Sequence, residues 1–405
     1  MNILFVDEKS WQKKVPYTIH YLAEQLVLRG HSVHAIDYDD TWSRASVLDW
    51  WSRGTQRSID KLGSGAAVEV TSPGFVKIVG LSRISTIVTH CAALVRLVRE
   101  RRIDVMVTYG LTNAAPALTV SRMMRIPILF HSIDMLAPLV PHPLLGRPAE
   151  MIEAQLIRRC SCVLALTPVF AERARRIGAR RTAVIPNGVA LARLRPGLNT
   201  DSLRRELGLV GKRVLVFVGT FTPLVGLSEL LNAFASSDLA NTSLVLVGDD
   251  IVTQGHERRV AEHAVRKLGI GDRVIFAGLQ PASRVPEYIN LADICLSPFP
   301  PSTFSKYNIA MKVFEYMACG KPTVCFDLEG TKSLVPPNSW GVIYVQSHAE
   351  MMQRLRMLLA DPAECLRLGR EARVKAEEHL SWEKVGARLE SVLAHEVQRA
   401  RSREG

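Results

Sequence analysis

Short apolar runs alternate with longer amphipathic segments along most of the chain. Residues 3–6, 32–36, 105–108, 128–131, 163–165 and 183–185 read as strands. Helical periodicity fills residues 17–29, 86–101, 114–124, 149–159 and 169–177 between them. This βα repetition calls for a parallel sheet with helices on both faces. The alternation restarts with strand-like runs at 213–218, 243–247, 273–276, 294–296, 323–326 and 342–345. Beyond residue 347 the pattern is helical only, over 351–360, 362–379 and 382–399. The chain therefore reads as α/β, with two doubly wound domains over residues 1–190 and 191–380. A helix within 381–405 is long enough to pack back toward the first domain. Pro186-Asn187-Gly188-Val189 turns the chain at the join, and residues 195–199 read as a linker.

One stretch resists assignment. In residues 41–65, Trp42, Trp50 and Trp51 stand among Arg44, Arg53 and Arg57, and Gly54, Gly63 and Gly65 interrupt any long helix. It reads either as a surface helix dipping into a bilayer interface or as an insertion whose tryptophans pack on their own domain.

The 405 residues are 47% hydrophobic and 22% charged, which excludes a disordered or fibrous chain and leaves room for two domains. The longest apolar candidate, residues 74–98, is interrupted by Lys77, Arg83, His90 and Arg96, so no spanning helix is expected. The opening apolar run meets Asp7-Glu8-Lys9 at once, unlike a secretory signal. Seven cysteines with no tight spacing beyond Cys160-x-Cys162 predict neither a disulfide framework nor a zinc site, and favour the cytoplasm. The net charge of +12 is uneven. Residues 1–189 hold 24 Lys/Arg against 15 Asp/Glu, and the remainder 27 against 24. A basic first half points to an anionic partner, such as an acidic membrane surface or a phosphorylated substrate, or else to an Arg-rich soluble surface. No nucleic-acid-binding module is present in the sequence, so nucleic acid is not an expected partner.

In open α/β sheets ligands bind beyond the carboxyl ends of the strands, and the cleft between two such domains is the expected site. Gly219 and Thr220 follow the first strand of the second domain and lead to a helix at Gly226, a place where backbone and a helix N-terminus can approach phosphate. The loop is neither a Walker sequence nor GxGxxG. Further on, a helix is predicted from about Asn308 to Cys319, stopped by Gly320 and Pro322. Asn308 would cap it, leaving the amides of Ile309, Ala310 and Met311 open to an anion. Lys312 and Glu315 share one face, while Val313, Phe314 and Met317 require much of the helix to be buried. His131 ends a strand of the first domain and would face the cleft, although a lone histidine there can equally be structural.

Taken together these residues resemble the GT-B-fold glycosyltransferases of family 4, which are retaining and use nucleotide sugars. Ile185-Pro186-Asn187-Gly188-Val189 resembles the family's interdomain PNGV, and Val218-Gly219-Thr220 its first phosphate-side loop. Leu246-Val247-Gly248-Asp249 resembles the LVGxG strand, and Val274-Ile275-Phe276-Ala277-Gly278 the VxFxG strand beside the base. Ala292-Asp293-Ile294 through Pro298 resembles the ADxxxxPS segment. Phe314-Glu315-Tyr316-Met317-Ala318-Cys319-Gly320-Lys321-Pro322 nearly repeats the FEYMAxGKPV signature.

The resemblance implies a hexosyltransferase acting on a lipid-linked, polysaccharide or other glycan acceptor, on the inner face of the cell membrane. Glu315 would hold the ribose hydroxyls, His131 would lie near the transferred sugar, and Asn308 to Lys312 would meet the diphosphate. Gly219, Thr220, Gly248, Gly278 and Leu279 would line the donor pocket. Helix dipoles and cations can stabilise a diphosphate leaving group, so neither metal nor cofactor is expected. Asp37-Tyr38-Asp39 reads as a turn and not as a metal site.

Some positions depart from the family pattern. The first glutamate of E-x7-E is Tyr307, the lysine before Gly226 is Val225, and Thr220 stands where the family has arginine. Lys312, or Lys306 in the loop, is the expected substitute for the missing phosphate cations. The first strand is followed by Asp7-Glu8-Lys9-Ser10 in place of a glycine-rich loop. An epimerase or hydrolase on the same architecture, or a catalytically weak nucleotide-sugar-binding homologue, are the alternative functions.

Overall fold

The computed structural model of the chain describes residues 1–39, 51–52, 54–78, 81–134, 146–239, 241–250, 253–302, 309–337 and 339–402. The first elements in chain order are β1 (Asn2–Val6), α1 (Thr18–Leu28), β2 (Ser32–Ile36), β3 (Trp51–Ser52), β4 (Thr55–Ile59), β5 (Val68–Ser72) and β6 (Phe75–Val76). Then come α2 (Leu81–Glu100), β7 (Val105–Thr108), α3 (Ala114–Met124), β8 (Ile128–Ser132), α4 (Gly146–Arg159), β9 (Cys162–Ala165), α5 (Pro168–Ile177) and β10 (Thr182–Val184). The pattern continues with α6 (Asp201–Glu206), β11 (Arg213–Val218), α7 (Leu227–Ala235), β12 (Thr242–Val247), α8 (His256–Leu268), β13 (Val274–Gly278) and α9 (Val285–Leu291). It closes with β14 (Ile294–Ser297), α10 (Met311–Ala318), β15 (Thr323–Phe326), α11 (Glu329–Lys332), β16 (Val342–Val345), α12 (His348–Ala360), α13 (Pro362–His379) and α14 (Trp382–Arg401). Two compact units result. One is Met1–Asn187 together with Trp382–Gly405, and the other is Gly188–Ser381.

In the first unit eight of the described strands form a sheet of order β10-β9-β8-β7-β1-β2-β5-β4, and β3 and β6 form a separate antiparallel pair. Within the larger sheet the pairings are parallel except β4 with β5. Successive residues of a strand point to opposite faces, so the apolar run of β1 feeds two cores. Ile3 and Phe5 join α1 and α14 on one side, and Leu4 and Val6 join α2, α3 and α4 on the other. Helix α14 is a structural part of this unit. Tyr21 stacks on Trp382 with ring centroids 4.4 Å apart, and Leu389 and Leu393 are fully buried.

The second unit has one sheet of order β13-β12-β11-β14-β15-β16, parallel throughout. Numbered from β11 this is the 3-2-1-4-5-6 order of the doubly wound nucleotide-binding fold. The order reverses between β11 and β14. Their ladder pairs only Leu215 with Ile294 and Val216 with Cys295, so the two strands part company before their carboxyl ends. Val214 and Val216 face one core, Leu215 and Phe217 the other.

Two expectations need correction. Residues 55–59 of the unassigned stretch form the edge strand β4, paired antiparallel with β5, in place of a helix. The alternation of Thr55-Gln56-Arg57-Ser58-Ile59 is polar because the strand is almost wholly exposed and is held by backbone pairing. Trp51 is 41% exposed, while Trp42, Trp50, Arg44 and Arg53 lie outside the described residues. Second, α10 begins at Met311, not at Asn308, which also lies outside the described residues. Ala310 takes the cap position at ψ 85°, off the helical range, and its N–H donates to Thr331 Oγ1 at 3.0 Å. That long-range bond starts the helix three residues later than local propensity suggests. No helix among the described residues is long and apolar enough to cross a membrane.

Candidate functional site

In the second unit the switch point between β11 and β14 gathers the residues singled out from sequence. Three glycines pave it, one at or just beyond the end of each of three neighbouring strands. Gly219 N–H donates to the Val247 carbonyl at 2.9 Å, and Gly248 N–H to the Gly278 carbonyl at 2.8 Å. A Cβ on Gly248 would stand 2.0 Å from the Gly219 carbonyl oxygen, so the loops after β11 and β12 touch backbone to backbone. A Cβ on Gly219 would meet Lys312 Cε at 2.8 Å and Nζ at 2.9 Å. The lysine therefore lies directly on this glycine floor.

Lys312 projects from the first turn of α10 between two rings, with Nζ 4.3 Å from the Phe299 centroid and 5.5 Å from that of Phe217. It makes no salt bridge or hydrogen bond with the described residues. Burial pushes its pKa down to about 8, against the pull of Glu315 one turn on. The Glu315 carboxyl is pushed up by burial, and Lys312 and Arg193 pull it back. Glu315 too has no hydrogen-bond partner among the described residues. An unpaired ammonium and an unpaired carboxylate on one helix face are costly unless something else satisfies them. The helix that carries them is fixed from behind. Val218 N–H, which lacks a partner on β14, donates to the hydroxyl of fully buried Tyr316 at 2.9 Å.

Around this floor Thr220 is half-buried, and Leu279 is 69% exposed. Ile309 is half-buried and Ala310 buried, with the Ala310 amide already committed to Thr331 as described. Asp249, after β12, pairs with Arg258 at 2.8 Å, and that guanidinium lies over the Phe276 ring. Val225 is fully buried in the apolar core beside Phe221 and Leu230. A lysine could not sit there without losing its solvation. Tyr307 and Lys306 lie outside the described residues.

The first unit has its own cluster at the carboxyl ends of β1, β7 and β8, again at a reversal of strand order. His131 is 1% exposed and its Nδ1 bonds the Tyr109 hydroxyl at 2.6 Å. Its Nε2 has no hydrogen-bond partner among the described residues. Burial pushes its pKa down to about 3, so the imidazole is neutral at physiological pH, despite the opposing effect of the Ile185 backbone. Burial likewise keeps the Tyr109 phenol protonated. Asp7 accepts from the Tyr17 hydroxyl and from Glu8 N–H, yet burial pushes its pKa up to about 7. Glu8 reaches across to accept from the amides of Thr112 and Asn113. Sequence reasoning passed over Asp7 and Tyr109. Their signal is position alone, since each stands immediately after a strand that borders the reversal. Asp37 is occupied by the Trp11 amide and the Ser72 hydroxyl, and Asp39 by Lys13.

Two parallel doubly wound units, each with polar groups at a strand-order reversal, define the GT-B class of fold. Solved structures share it along nearly the whole chain. Anabaena Alr3699/HepE in complex with UDP has a TM-score of 0.75 at 19% identity, covering 98% of this chain and 100% of that one. The sucrose-phosphate synthase of Thermosynechococcus elongatus has a TM-score of 0.72 at 19% identity, covering 97% and 98%. The sequence profile described as glycosyl transferases group 1 matches residues 199–375, and that of the glycosyl transferase 4-like domain matches residues 15–188. The chain belongs to this glycosyltransferase family. Among its relatives, the D-inositol 3-phosphate glycosyltransferase of Segniliparus rotundus is 30% identical over 250 residues, covering 60% of this chain and 54% of its own. Spore coat protein SA of Bacillus subtilis is 24% identical over 224 residues, covering 52% and 58%. The chain spans about half the length of the curated relatives it matches.

Proposed function

We propose that this protein transfers a hexosyl group from a nucleotide-diphosphate sugar to a hydroxyl of a glycan or lipid-linked acceptor, with retention at the anomeric carbon. The observation that carries the reading is Lys312, an unpaired ammonium lying on a glycine floor where the strand order reverses. A diphosphate on that floor pairs with the ammonium, and Glu315 one turn on accepts the ribose hydroxyls. Gly248, Gly278 and Leu279 border the nucleoside. In the transfer, the bond from the anomeric carbon to the diphosphate oxygen breaks as a bond to the acceptor oxygen forms. The acceptor proton passes to the departing phosphate. Negative charge grows on that phosphate, so a fixed cation lowers the barrier, and no metal is required of this site. His131, neutral and with Nε2 free, is suited to accept or donate one hydrogen bond to the sugar. UDP-sugars are the first donors to test, because structures of Anabaena Alr3699/HepE hold UDP and UDP-glucose.

The acceptor side rests on charge and exposed apolar surface. The basic first half and the exposed Leu81, Ile84 and Val88 of α2 support contact with an anionic membrane from the cytoplasmic side. A thermal-shift panel of UDP-, GDP- and ADP-sugars, with Glu315→Ala as control, tests the donor site. Stabilisation by one nucleotide family, lost in the variant, is the expected result. Silence from every donor would defeat the proposal. Binding without turnover in the presence of membrane extract would assign the chain to the binding-only homologues, and release of free or epimerised sugar to the hydrolase or epimerase reading.

A further inference from the structure

The edge of the first sheet opposite His131 carries a second charged feature. At the amino ends of β8, β9 and β10 lies a crevice of about 290 Å3. Arg122, Arg125, Arg159, Arg180, Arg181 and Arg399 line it, and the single carboxylate among them is Glu396. Glu396 is buried and grips Arg181 through both oxygens, with His395 Nδ1 3.6 Å from one of them. The other five guanidiniums have no hydrogen-bond or ion-pair partner among the described residues.

Helix dipoles explain part of this arrangement. Arg122 and Arg159 stand in the last turns of α3 and α4, and Arg399 in that of α14, where cations are favoured. Three helix ends supply roughly −1.5 charge in all. Six arginines against one glutamate leave five positive charges, so the ends fall well short of neutralising them. Arg125 also occupies a left-handed backbone position, φ 56°, where glycine is the ordinary and less strained choice. The side chain is kept there against a conformational penalty. The crevice is at the small end of the range for ligand pockets, about 300–1,000 Å3, and too confined for a nucleic-acid groove.

We infer that this crevice binds an oligophosphate group, two or more linked phosphates, at a site separate from Lys312. Forked guanidiniums match phosphate oxygens two at a time, and linked phosphates supply several negative charges to set against five exposed, unpaired arginines. Strand β8 runs from the crevice to His131, a rise of roughly 10–13 Å along its residues. The two features therefore occupy opposite ends of one strand.

The source is either a free oligophosphate or the diphosphate headgroup of a lipid. Calorimetry with inorganic tripolyphosphate, on a Lys312→Ala background that disables the donor site, tests the first. Flotation with phosphatidylcholine vesicles with and without a polyprenyl diphosphate tests the second. An Arg125→Gln/Arg180→Gln double variant is expected to weaken whichever binding is seen by about tenfold or more. Its melting temperature without ligand should equal or exceed that of the parent, since repulsion is relieved. Binding of tripolyphosphate that survives Lys312→Ala and fails in the double variant supports the free source. Binding only to the diphosphate vesicles, lost in the same variant, supports the headgroup. Binding indifferent to the double variant, binding abolished by Lys312→Ala alone, or no binding in either arm overturns the inference.

Discussion

The two units place their polar groups at the same topological position and fill it in opposite ways. In the first, the two acids after β1 and the histidine on β8 already have partners. Asp7 meets Tyr17, Glu8 meets the amides after β7, and His131 is anchored by Tyr109. In the second, Lys312 lies on bare glycine backbone, and neither it nor Glu315 one turn on has a hydrogen-bond or ion-pair partner among the described residues. The first unit has bonded the acids after β1 and leaves neutral groups, the His131 Nε2, the Thr108 hydroxyl and the Asn113 amide oxygen, without a partner among the described residues. The second has left a cation and an anion unsatisfied, which is destabilising alone and favourable once a ligand carries the complementary charges. A shared fold therefore does not dictate a shared role. The difference lies in whether side chains near the strand ends satisfy one another or wait for something else.

The largest effect that would sharpen this contrast concerns Asp7. Folded, it keeps its proton to about pH 7; unfolded, only to about 3.8. Between those values the folded chain holds the extra proton, so its contribution to stability declines as pH rises and levels off above about 7. Asp7→Asn should remove that slope and gain up to roughly 4 kcal/mol at pH 8 relative to the parent. His131 acts with the opposite sign. Its folded pKa of about 3 lies below the unfolded 6.5, so stability is lost as pH falls through that interval. By urea denaturation, stability should rise more steeply with pH between about 4 and 6.5 in Asp7→Asn than in the parent, because His131 and His20, the latter pushed down to about 4 by burial, then act without the opposing Asp7 slope. An unchanged profile would mean that Asp7 is ionised when folded.

Next in size is Lys312→Ala, which should weaken binding of the preferred nucleotide sugar about a hundredfold by calorimetry, the loss of one or two charge-assisted contacts. Lys312→Arg should recover only part of it, because the larger guanidinium must fit beside the Gly219 backbone, on which the lysine already lies closely. Near-normal affinity in the alanine variant would erase the proposed distinction between the units. A third and smaller effect follows from the same residue. With its pKa near 8 in the empty protein, the lysine begins to lose its charge there, and donor affinity should fall up to tenfold per pH unit above that point. An ordinary exposed lysine would show the same fall only beyond about pH 10. The smallest prediction is Tyr316→Phe, which leaves the Val218 amide without its acceptor. It should cost about 1–3 kcal/mol in chemical denaturation and leave the sheet intact.

The sheets were legible in the sequence because parallel strands buried on both faces have to be apolar throughout, as 213–218 and 323–326 are. Strand β4 was not, since Thr55-Gln56-Arg57-Ser58-Ile59 sits at an exposed edge and owes its conformation to pairing with β5. The start of α10 was misplaced for a related reason. Thr331, twenty-one residues further on, takes the Ala310 amide, and no local pattern announces such a bond. At the switch point the glycines could be seen individually. That Gly248 presses on the Gly219 carbonyl, and Gly219 on Lys312, depends on three loops converging, which one-dimensional spacing does not encode. Tyr316 reads in sequence as a core aromatic, and its hydroxyl acquires a task only where β11 and β14 diverge.

Helix α14 carries a further consequence, one of timing. It completes the core over α1, yet the ribosome reaches it only after the whole second unit has been made. At about 5–20 residues per second, the roughly 195 residues between Asn187 and Trp382 take some 10–40 s to synthesise. The second unit, contiguous in sequence, can finish folding as it emerges. Through that interval the first unit must carry Ile19, Leu22 and Leu26 without the helix that seals them. A nascent chain stalled before Trp382 is thus where this protein most needs a chaperone.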